Sequence, residues 1–311
     1  MQAAGDAVAS TGVRVTQYSI LSNMNVVTWN VRGLNKTYKH KELRIAIKEN
    51  KMGLLTVLEH RIKEYKAEKI IKKIVPGWEW VSNYGNNTTG RFWILWNPHV
   101  ICFTLLEMDP QFIHGQIKVH EANLAFSFTA IYGLHTIQDM RSLWRKLKEL
   151  EGIQHGPWIA TGDFNAILNE EDRQHGSQVQ DIETMDFRDF LTESAMIELQ
   201  TYGREYTWTN NHTYSRIDRA IVNAAWMNGM PVSQVQIMEP QFSDHSPLKI
   251  KFDQYTGGKT KPFRFFNCIA EHQDFLPLIE DCWKLPTPET YMRRVWNKLK
   301  SVKKRLKTLN T

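Results

Sequence analysis

The feature of this chain that most limits its fold is a long series of short apolar runs, rich in β-branched and aromatic residues and bounded by Gly, Asn or Pro. Between the runs, helical periodicity appears in four stretches, at Lys41–Glu49, Glu64–Val75, Met140–Leu150 and Ile182–Ser194. Strands outnumber helices, and their spacing is too irregular for a solenoid. We therefore predict an α/β four-layer sandwich, in which two packed mixed β-sheets are flanked by helices. The predicted strands are Asn25–Trp29, Gly53–Leu58, Glu79–Val81, Phe92–Trp96, Val100–Leu106, Phe112–Val119, Ala125–Tyr132, Trp158–Thr161, Tyr206–Thr209, Arg216–Val222, Ser233–Met238 and Leu248–Phe252.

Length and composition fit one large domain followed by a tail. The chain has 311 residues, of which 42% are apolar and 11% aromatic, and this is enough to build a sizeable core. The stretch after Phe252, DQYTGGKTKP, has the composition of a linker. We predict a disordered leader at 1–23, a folded domain at 24–253, a linker at 254–262 and a C-terminal extension at 263–311.

Cysteine usage and hydropathy favour an intracellular protein. The three cysteines, Cys102, Cys268 and Cys282, make no paired framework and no Cys-x-x-Cys motif, which indicates a reducing compartment. No apolar run reaches membrane-spanning length, and residues 1–23 lack the hydrophobic core of a signal peptide. We expect a nuclear or cytoplasmic location and no membrane partner.

The positive charge is concentrated at two places. The net charge is +6, but residues 289–311 hold eight Lys or Arg and one Glu, so the rest of the chain sums to −1. Within that rest, residues 32–73 hold thirteen basic and five acidic side chains. Such segments suit a long polyanion, although a lysine-rich helix is as often a solvated face.

The C-terminal basic segment has the pattern of an amphipathic helix. Its basic face includes Lys303, Lys304 and Arg305. Such a helix binds nucleic acid, a partner helix or an anionic surface, or packs on the continuation of a longer protein. Its apolar stripe is formed by Tyr291, Val295, Leu299, Val302, Leu306 and Leu309.

Polar residues close or follow many of the apolar runs, where strands give way to loops. Glu59 directly follows the run that ends at Leu58, and Asp163 and Asn165 stand two residues apart after Trp158–Thr161. We expect Gly162 to permit a tight turn that aims the acid and the amide into one cleft. A carboxylate there can take a proton from water, and oxygen ligands suit a hard divalent cation. A solvated Glu59 and an Asx turn at Asp163 are the structural alternatives.

A further cluster couples an acid to an imidazole. Asp244 and His245 precede the last predicted strand, and Asp218 lies at one end of an amphipathic strand. A histidine that contacts a phosphate needs its other ring nitrogen held by an acceptor, and Asp218 is the candidate. A single Asp-His pair is common on surfaces, so the prediction depends on several such clusters occurring in one chain.

In this order, the clusters resemble the endonuclease/exonuclease/phosphatase superfamily, which has the DNase I-like fold. The residues of these motifs are most similar to those in the endonuclease domain of plant LINE-type non-LTR retrotransposons, over about Asn25 to Phe252. The resemblance continues in the segment 262–267, PFRFFN, which is similar to the segment leading toward a reverse transcriptase in those elements. It rests on WNVRGLN at 29–35, GDFN at 162–165, EDR at 171–173, YTWTN at 206–210, SRIDRA at 215–220 and FSDHSP at 242–247.

The resemblance implies a role for each matching residue. Glu59 and Asp244 would bind Mg²⁺, or Mn²⁺ in its place, with Asn30 beside them. Asp163 would handle the proton of the water or of the leaving group. Asn165 and Tyr132 would hold the scissile phosphate, and His245, oriented by Asp218, would stabilise its charge. The expected substrate is DNA, with RNA as a second polyanion, and the nucleic-acid contacts would involve Arg32, Arg173, Lys303, Lys304 and Arg305.

One departure from the superfamily pattern concerns Arg32. Abasic-site enzymes carry an Asp two residues after the motif Asn, and here that position is Arg32. This argues against the repair specialty and leaves the retrotransposon interpretation in place. Two alternatives stay open, namely another phosphohydrolase of the superfamily and a decayed, nucleic-acid-binding remnant without activity.

Overall fold

The computed structural model describes residues 24–85, 91–120, 122, 124–153, 155–230, 233–252, 270, 272–284 and 291–306. These fall into two compact units, one ending at Phe252 and the other beginning at residue 270. Within the described ranges, no helix is both long enough and apolar enough to cross a bilayer. The predicted leader at 1–23, the predicted linker at 254–262 and the predicted stripe residue Leu309 lie outside the described residues.

The first unit is built on two large mixed sheets and one small sheet. One large sheet has the strand order β11-β15-β16-β1-β2-β4-β3, and the other has the order β10-β14-β8-β7-β6-β5. A small sheet has the order β12-β13-β9. The strands are β1 Asn25–Asn30, β2 Met52–Leu58, β3 Glu79–Ser82, β4 Phe92–Trp96, β5 Ile101–Met108, β6 Phe112–Val119, β7 Leu124–Tyr132, β8 Trp158–Asp163, β9 Arg173–Gln174, β10 Ile197–Glu198, β11 Thr201–Gly203, β12 Trp208–Thr209, β13 Tyr214–Ser215, β14 Asp218–Val222, β15 Ser233–Ile237 and β16 Leu248–Phe252.

Among the described residues, five α-helices belong to the first unit and two to the second. In the first unit they are α1 Thr37–Glu49, α2 Glu64–Ile74, α3 Ile137–Ile153, α4 Asp181–Glu193 and α5 Ala224–Gly229. In the second unit they are α6 Phe275–Lys284 and α7 Tyr291–Leu306.

Three apolar clusters separate four layers and confirm the predicted sandwich. Between the two large sheets lies a cluster that includes Leu54 of β2 and Phe128 of β7. Alternate residues on β2, such as Leu55, pack in a second cluster against Leu43 and Ile71 of α1 and α2. The outer face of the second sheet buries its side chains against α3 and α4 in a third cluster. Because both faces of the central strands are buried, these strands read in the sequence as continuous apolar runs.

In the first unit, the elements that the sequence did not predict are short. β9, β10 and β13 have two residues each and β11 has three, so no alternation can be read from them. The predicted strand Tyr206–Thr209 is shorter in the structure, where it consists of Trp208–Thr209. α5 was also not predicted, and it begins after Asn223, whose side chain caps it by accepting from Trp226 N.

Candidate active site

The polar residues at the strand ends meet at one edge of the sandwich. β1 and β2 are parallel with Asn30 opposite Leu58, so Asn30 and Glu59 emerge at the same edge. In the other large sheet, Asp163 lies opposite Tyr132 of β7 and opposite Asp218 of β14. Asn30 Nδ2 donates a 2.9 Å hydrogen bond to Asp163 Oδ2, which joins the two sheets at this point.

The loop backbone at this edge is held in an uncommon conformation. Glu59 and Asn165 have φ values of 52° and 50°, in the left-handed region. Such positions cost non-glycine residues on the order of 1–3 kcal/mol, and they persist where the surroundings enforce them. Here the loops after β1 and β2 are joined by bonds from Gly33 N to Glu59 O and from Leu34 N to His60 O, both 2.8 Å long. The side chains that follow the strands are therefore aimed by the fold.

The predicted role of Gly162 as a turn residue is wrong. β8 continues through Gly162 to Asp163, and a Cβ on Gly162 would lie 2.0 Å from Ile131 O. Glycine is needed because β7 and β8 approach too closely for a side chain. The chain turns instead at Asn165, whose backbone N donates to Asp163 Oδ1 at 3.0 Å. The Asx turn considered as an alternative is therefore present, within the same polar cluster.

His245 is fixed by a buried carboxylate. Its Nδ1 lies 3.0 Å from Asp218 Oδ2 and 3.8 Å from Asp163 Oδ2, and all three side chains are buried. The backbone of His245 is held by Trp29, whose Nε1 donates to His245 O at 2.9 Å. With Nδ1 engaged, Nε2 is the nitrogen that can face a phosphate. The partnership between Asp218 and His245 is the one that the sequence predicted.

Burial and neighbouring charges shift the pKa values of Asp163 and His245. Burial raises the pKa of Asp163 well above its usual range, and the neighbouring Asp218 carboxylate raises it further. Burial lowers the pKa of His245, but the carboxylates of Asp218 and Asp163 outweigh it, and the net result is a raised pKa. Asp163 is thus suited to accept a proton near neutral pH, and His245 is suited to remain a cation.

Tyr132 and Asn165 lie beside Asp163. Tyr132 is buried, and burial together with the charges of Glu59 and Asp163 raises its pKa, so that its phenol remains a hydrogen-bond donor at neutral pH. Asn165 Nδ2 donates to Gly133 O at 2.7 Å, which fixes the orientation of the amide. Both side chains carry hydrogen-bond donors, and their role in holding a phosphate stays a prediction.

Glu59 and Asp244 converge on one cation supplied by the chain. Arg32 Nη1 lies 3.3 Å from Glu59 Oε2, and Arg32 Nε lies 3.1 Å from Asp244 Oδ2. Two carboxylates that face one positive centre are oxygen donors suited to Mg²⁺ or Mn²⁺, so the residues fit the predicted ion in chemistry. When bound, such an ion would neutralise charge on the phosphate and on the departing oxygen.

The neighbouring cluster of Asp163, Asp218 and His245 is better suited to proton transfer than to binding a metal ion. Ligand atoms of Asp163, Asp218 and His245 lie within 4.8 Å of one another. A histidine with a raised pKa holds a proton on each ring nitrogen and offers no lone pair to a metal. Binding of the ion by Glu59 and Asp244, with Asn30 beside them through its bond to Asp163, stays a prediction.

A cleft of about 430 Å³ opens onto this cluster. Four predicted residues line it, namely Arg32, Asn165, Arg173 and His245. Arg173 also forms an ion pair with Glu183, 2.8 Å from Nη2 to Oε2. The lining residues that were not predicted are His135, Trp208, Asn210, Thr213, Ser215 and Ile217.

Three residues that support the site had no role in the sequence interpretation. Trp208 Nε1 donates to Asp244 Oδ2 at 3.2 Å, and Ser243 Oγ donates to Asn30 O at 2.7 Å. Both stand in motifs already noted, so their position was a usable signal. Arg61 pairs with Glu59 from two residues further along, and no spacing rule would single it out.

The three basic residues of the C-terminal extension belong to the second unit. Lys303, Lys304 and Arg305 lie in the last turn of α7, and their nucleic-acid role stays a prediction. The helix itself has the predicted basic character. Part of its apolar stripe is covered, since Leu306 is buried while Val295 and Leu299 are exposed.

Several proteins of known structure share the fold of this chain. No curated protein matches the chain in sequence. The endonuclease domain of TRAS1, a telomere-specific non-LTR retrotransposon, is similar in structure, with a TM-score of 0.57 and 13% identity over 74% of this chain and 98% of that one. The 3′-5′ exonuclease NExo from Neisseria meningitidis has a TM-score of 0.55 and 20% identity over 74% and 100%. An AP endonuclease from Archaeoglobus fulgidus has a TM-score of 0.55 and 18% identity over 74% and 99%.

These identities are low, so the three structures establish the fold alone. The family model described as Endonuclease/Exonuclease/phosphatase family matches residues 27–245, which include every predicted residue of the candidate active site. This match covers more than half of the chain. The chain therefore belongs to the endonuclease/exonuclease/phosphatase family, a family of divalent-metal-dependent hydrolases of phosphate esters.

Proposed function

We propose that this chain is a Mg²⁺-dependent DNA endonuclease that nicks its target in the manner of LINE retrotransposons. The observation that carries the proposal is that His245, whose Nδ1 lies 3.8 Å from the buried Asp163, lines an open cleft together with Arg32 and Arg173. A proton acceptor and a cation meet there beside a surface that suits a phosphate backbone. The basic stretch at 32–73 and the resemblance of the motifs to LINE endonucleases favour DNA over a small phosphate ester.

In this proposal the chain's own residues divide the work of hydrolysis. Asp163 takes a proton from the attacking water, which forms a bond to phosphorus while the bond to the leaving oxygen breaks. His245 donates from Nε2 to a phosphate oxygen, and Asp218 keeps the imidazole oriented and charged. Asn165 and Tyr132 donate to the phosphate and hold it in place.

The substrate class separates the proposal from its alternatives. With Mg²⁺, the purified chain should convert supercoiled plasmid into the nicked form and should release little phosphate from a small phosphate monoester. Asp189, an exposed residue of α4, provides a matched control, because Asp189→Asn should nick as the wild type does. Preference for the monoester would favour a phosphatase, and binding of plasmid without cleavage would favour the decayed remnant.

The C-terminal helix is proposed to add affinity for nucleic acid. Residues 289–311 hold a charge excess of +7. Within the second unit, α7 contacts α6 through Cys282, which lies 3.8 Å from Ser301 Oγ, and through Lys298 over the ring of Trp283. Most of the basic side chains of α7 are exposed and could meet phosphates.

Deleting residues 289–311 should weaken DNA binding at moderate salt and leave cleavage by the first unit intact. For every phosphate that the protein no longer neutralises, the log–log salt dependence of duplex binding should flatten by about 0.9. A full-length control with Lys303, Lys304 and Arg305 replaced by Gln keeps the helix and should flatten the slope as well. An unchanged slope together with a lower melting temperature or an altered oligomeric state would show that the helix packs on protein instead.

A further inference from the structure

The two predicted metal ligands are already engaged with arginines. Arg32 reaches Glu59 Oε2 and Asp244 Oδ2 at 3.3 Å and 3.1 Å. The other oxygen of Glu59, Oε1, accepts from Arg61 Nε at 3.1 Å. The two carboxylates and the two guanidinium groups form a cluster with no net charge at the predicted metal position.

The placement of both arginines is built into the backbone. Arg32 and Arg61 have φ values of 46° and 54°, in the region that side chains rarely adopt. The backbone N of Arg32 is tied to Asn30 Oδ1 at 3.1 Å, and the stem of Arg61 packs over Gly33, with its Cδ 3.4 Å from where a Cβ would be. An ion pair that forms by chance at a surface does not need such backbone support. The loop conformation therefore holds both arginines beside these carboxylates.

The guanidinium groups of both arginines are nevertheless accessible to solvent. The side chain of Arg32 is 39% exposed and that of Arg61 is 56% exposed, whereas that of Glu59 is only 11% exposed. A partly exposed guanidinium can exchange its carboxylate partner for water at small cost. A divalent ion, however, needs the same carboxylate oxygens that Arg32 holds.

We propose that Arg32 is an internal competitor of the divalent ion. Its guanidinium bridges Glu59 and Asp244, and an ion that binds these carboxylates has to displace it. The displaced head remains in the cleft, which Arg32 already lines together with Asn165 and His245. The inference rests on the proposed function in one respect only, that Glu59 and Asp244 bind the ion.

The test is a titration with Mn²⁺ alone, without DNA, followed by the electron paramagnetic resonance signal of the free ion. Arg32→Met removes the charge and keeps the stem, and it should bind Mn²⁺ roughly three- to tenfold more tightly, the scale of one or two partly exposed ion pairs. Arg32→Lys keeps a cation but loses the fork that spans two carboxylates, so it should give a smaller gain. It also serves if Arg32→Met does not fold.

The matched control is Arg173→Met. Arg173 lines the same cleft and carries the same charge, but its ion pair is with Glu183 and not with a predicted metal ligand. Arg173→Met should change Mn²⁺ affinity less than about twofold if only general charge acts on it. Adding Glu59→Gln to Arg32→Met should remove the gain. The proposal is overturned if Arg32→Met binds Mn²⁺ no more tightly, if Arg173→Met gains as much, or if the gain survives Glu59→Gln.

Failure of this inference and failure of the proposed function give different results. If the wild type nicks plasmid and Arg32→Met binds Mn²⁺ no more tightly, Arg32 is not a competitor and the nuclease proposal stands. If Arg32→Met binds Mn²⁺ more tightly but no preparation cleaves DNA, the competitor is supported and the nuclease proposal fails.

Discussion

Replacing Asp163 by asparagine should reduce the rate of plasmid nicking by about 10²–10⁴-fold, the usual effect of losing a general acid or base. The amide cannot accept the proton of the water. The carboxylate accepts from Asn30 Nδ2 at one oxygen and from Asn165 N at the other, so the single oxygen of the amide can keep only one of these two bonds. Leaving one buried donor without its partner typically costs about 1–3 kcal/mol, so the fold should survive, and DNA affinity should change little. The measurement is single-turnover nicking beside a binding titration and a melting curve.

His245→Ala should lose activity on the same scale, and Asp218→Asn should act through His245. Because the Asp218 carboxylate raises the pKa of His245, its removal lowers that pKa, and the imidazole then loses its proton at a lower pH. The decline of activity on the alkaline side should accordingly move to lower pH in Asp218→Asn. If all three variants kept near-normal rates with an unaltered fold, the active site would be misassigned.

The largest effect on stability is expected at Arg219, beneath the loop that leads from Asp163 to Arg173. The side chain of Arg219 is 1% exposed; it forms an ion pair with Asp172 and donates to Glu198 at 2.8 Å. Asp172 Oδ2 in turn accepts from the backbone of Leu168 and Asn169 at 2.7 Å and 2.8 Å, which holds the loop. Arg219→Met should lower the free energy of unfolding by about 3–5 kcal/mol, because it removes the cation that pairs with the buried Asp172 carboxylate.

Arg204→Met is the matched control for this change. Arg204 pairs with Glu239 at 2.8 Å, but the Glu239 side chain is 76% exposed. Loss of such a pair typically costs about 0–1 kcal/mol. Urea denaturation of both variants decides the matter, and an Arg219→Met as mild as Arg204→Met would contradict the role assigned to the buried network.

The sandwich could be predicted because the residues that build it repeat a simple pattern. In β2, every residue is buried, and alternate side chains face the other sheet and the helices. That arrangement leaves a continuous apolar run in the sequence, and the polar residue after the run marks the end of the strand. Glu59 was found in this way, and Asp163 followed from β8 by the same argument.

Other features escaped because they depend on distant parts of the chain. Gly162 looks like a turn residue in isolation, and only the position of Ile131 O on β7 shows why a side chain is excluded. α6, which contacts α7 through Cys282 and Ser301, was not predicted. The sequence predicted Arg32 as a nucleic-acid contact and not as a partner of Glu59, since that contact joins residues 27 positions apart.

The central claim, hydrolysis that depends on a divalent ion held by Glu59 and Asp244, is tested most directly by withdrawing and restoring the ion in one preparation. Supercoiled plasmid should be nicked with Mg²⁺ or Mn²⁺, should stay intact after exhaustive chelation with EDTA, and should be nicked again when excess Mg²⁺ is returned. Glu59→Gln, assayed in parallel, should not recover on the return of Mg²⁺. Nicking that survives exhaustive chelation would contradict the account.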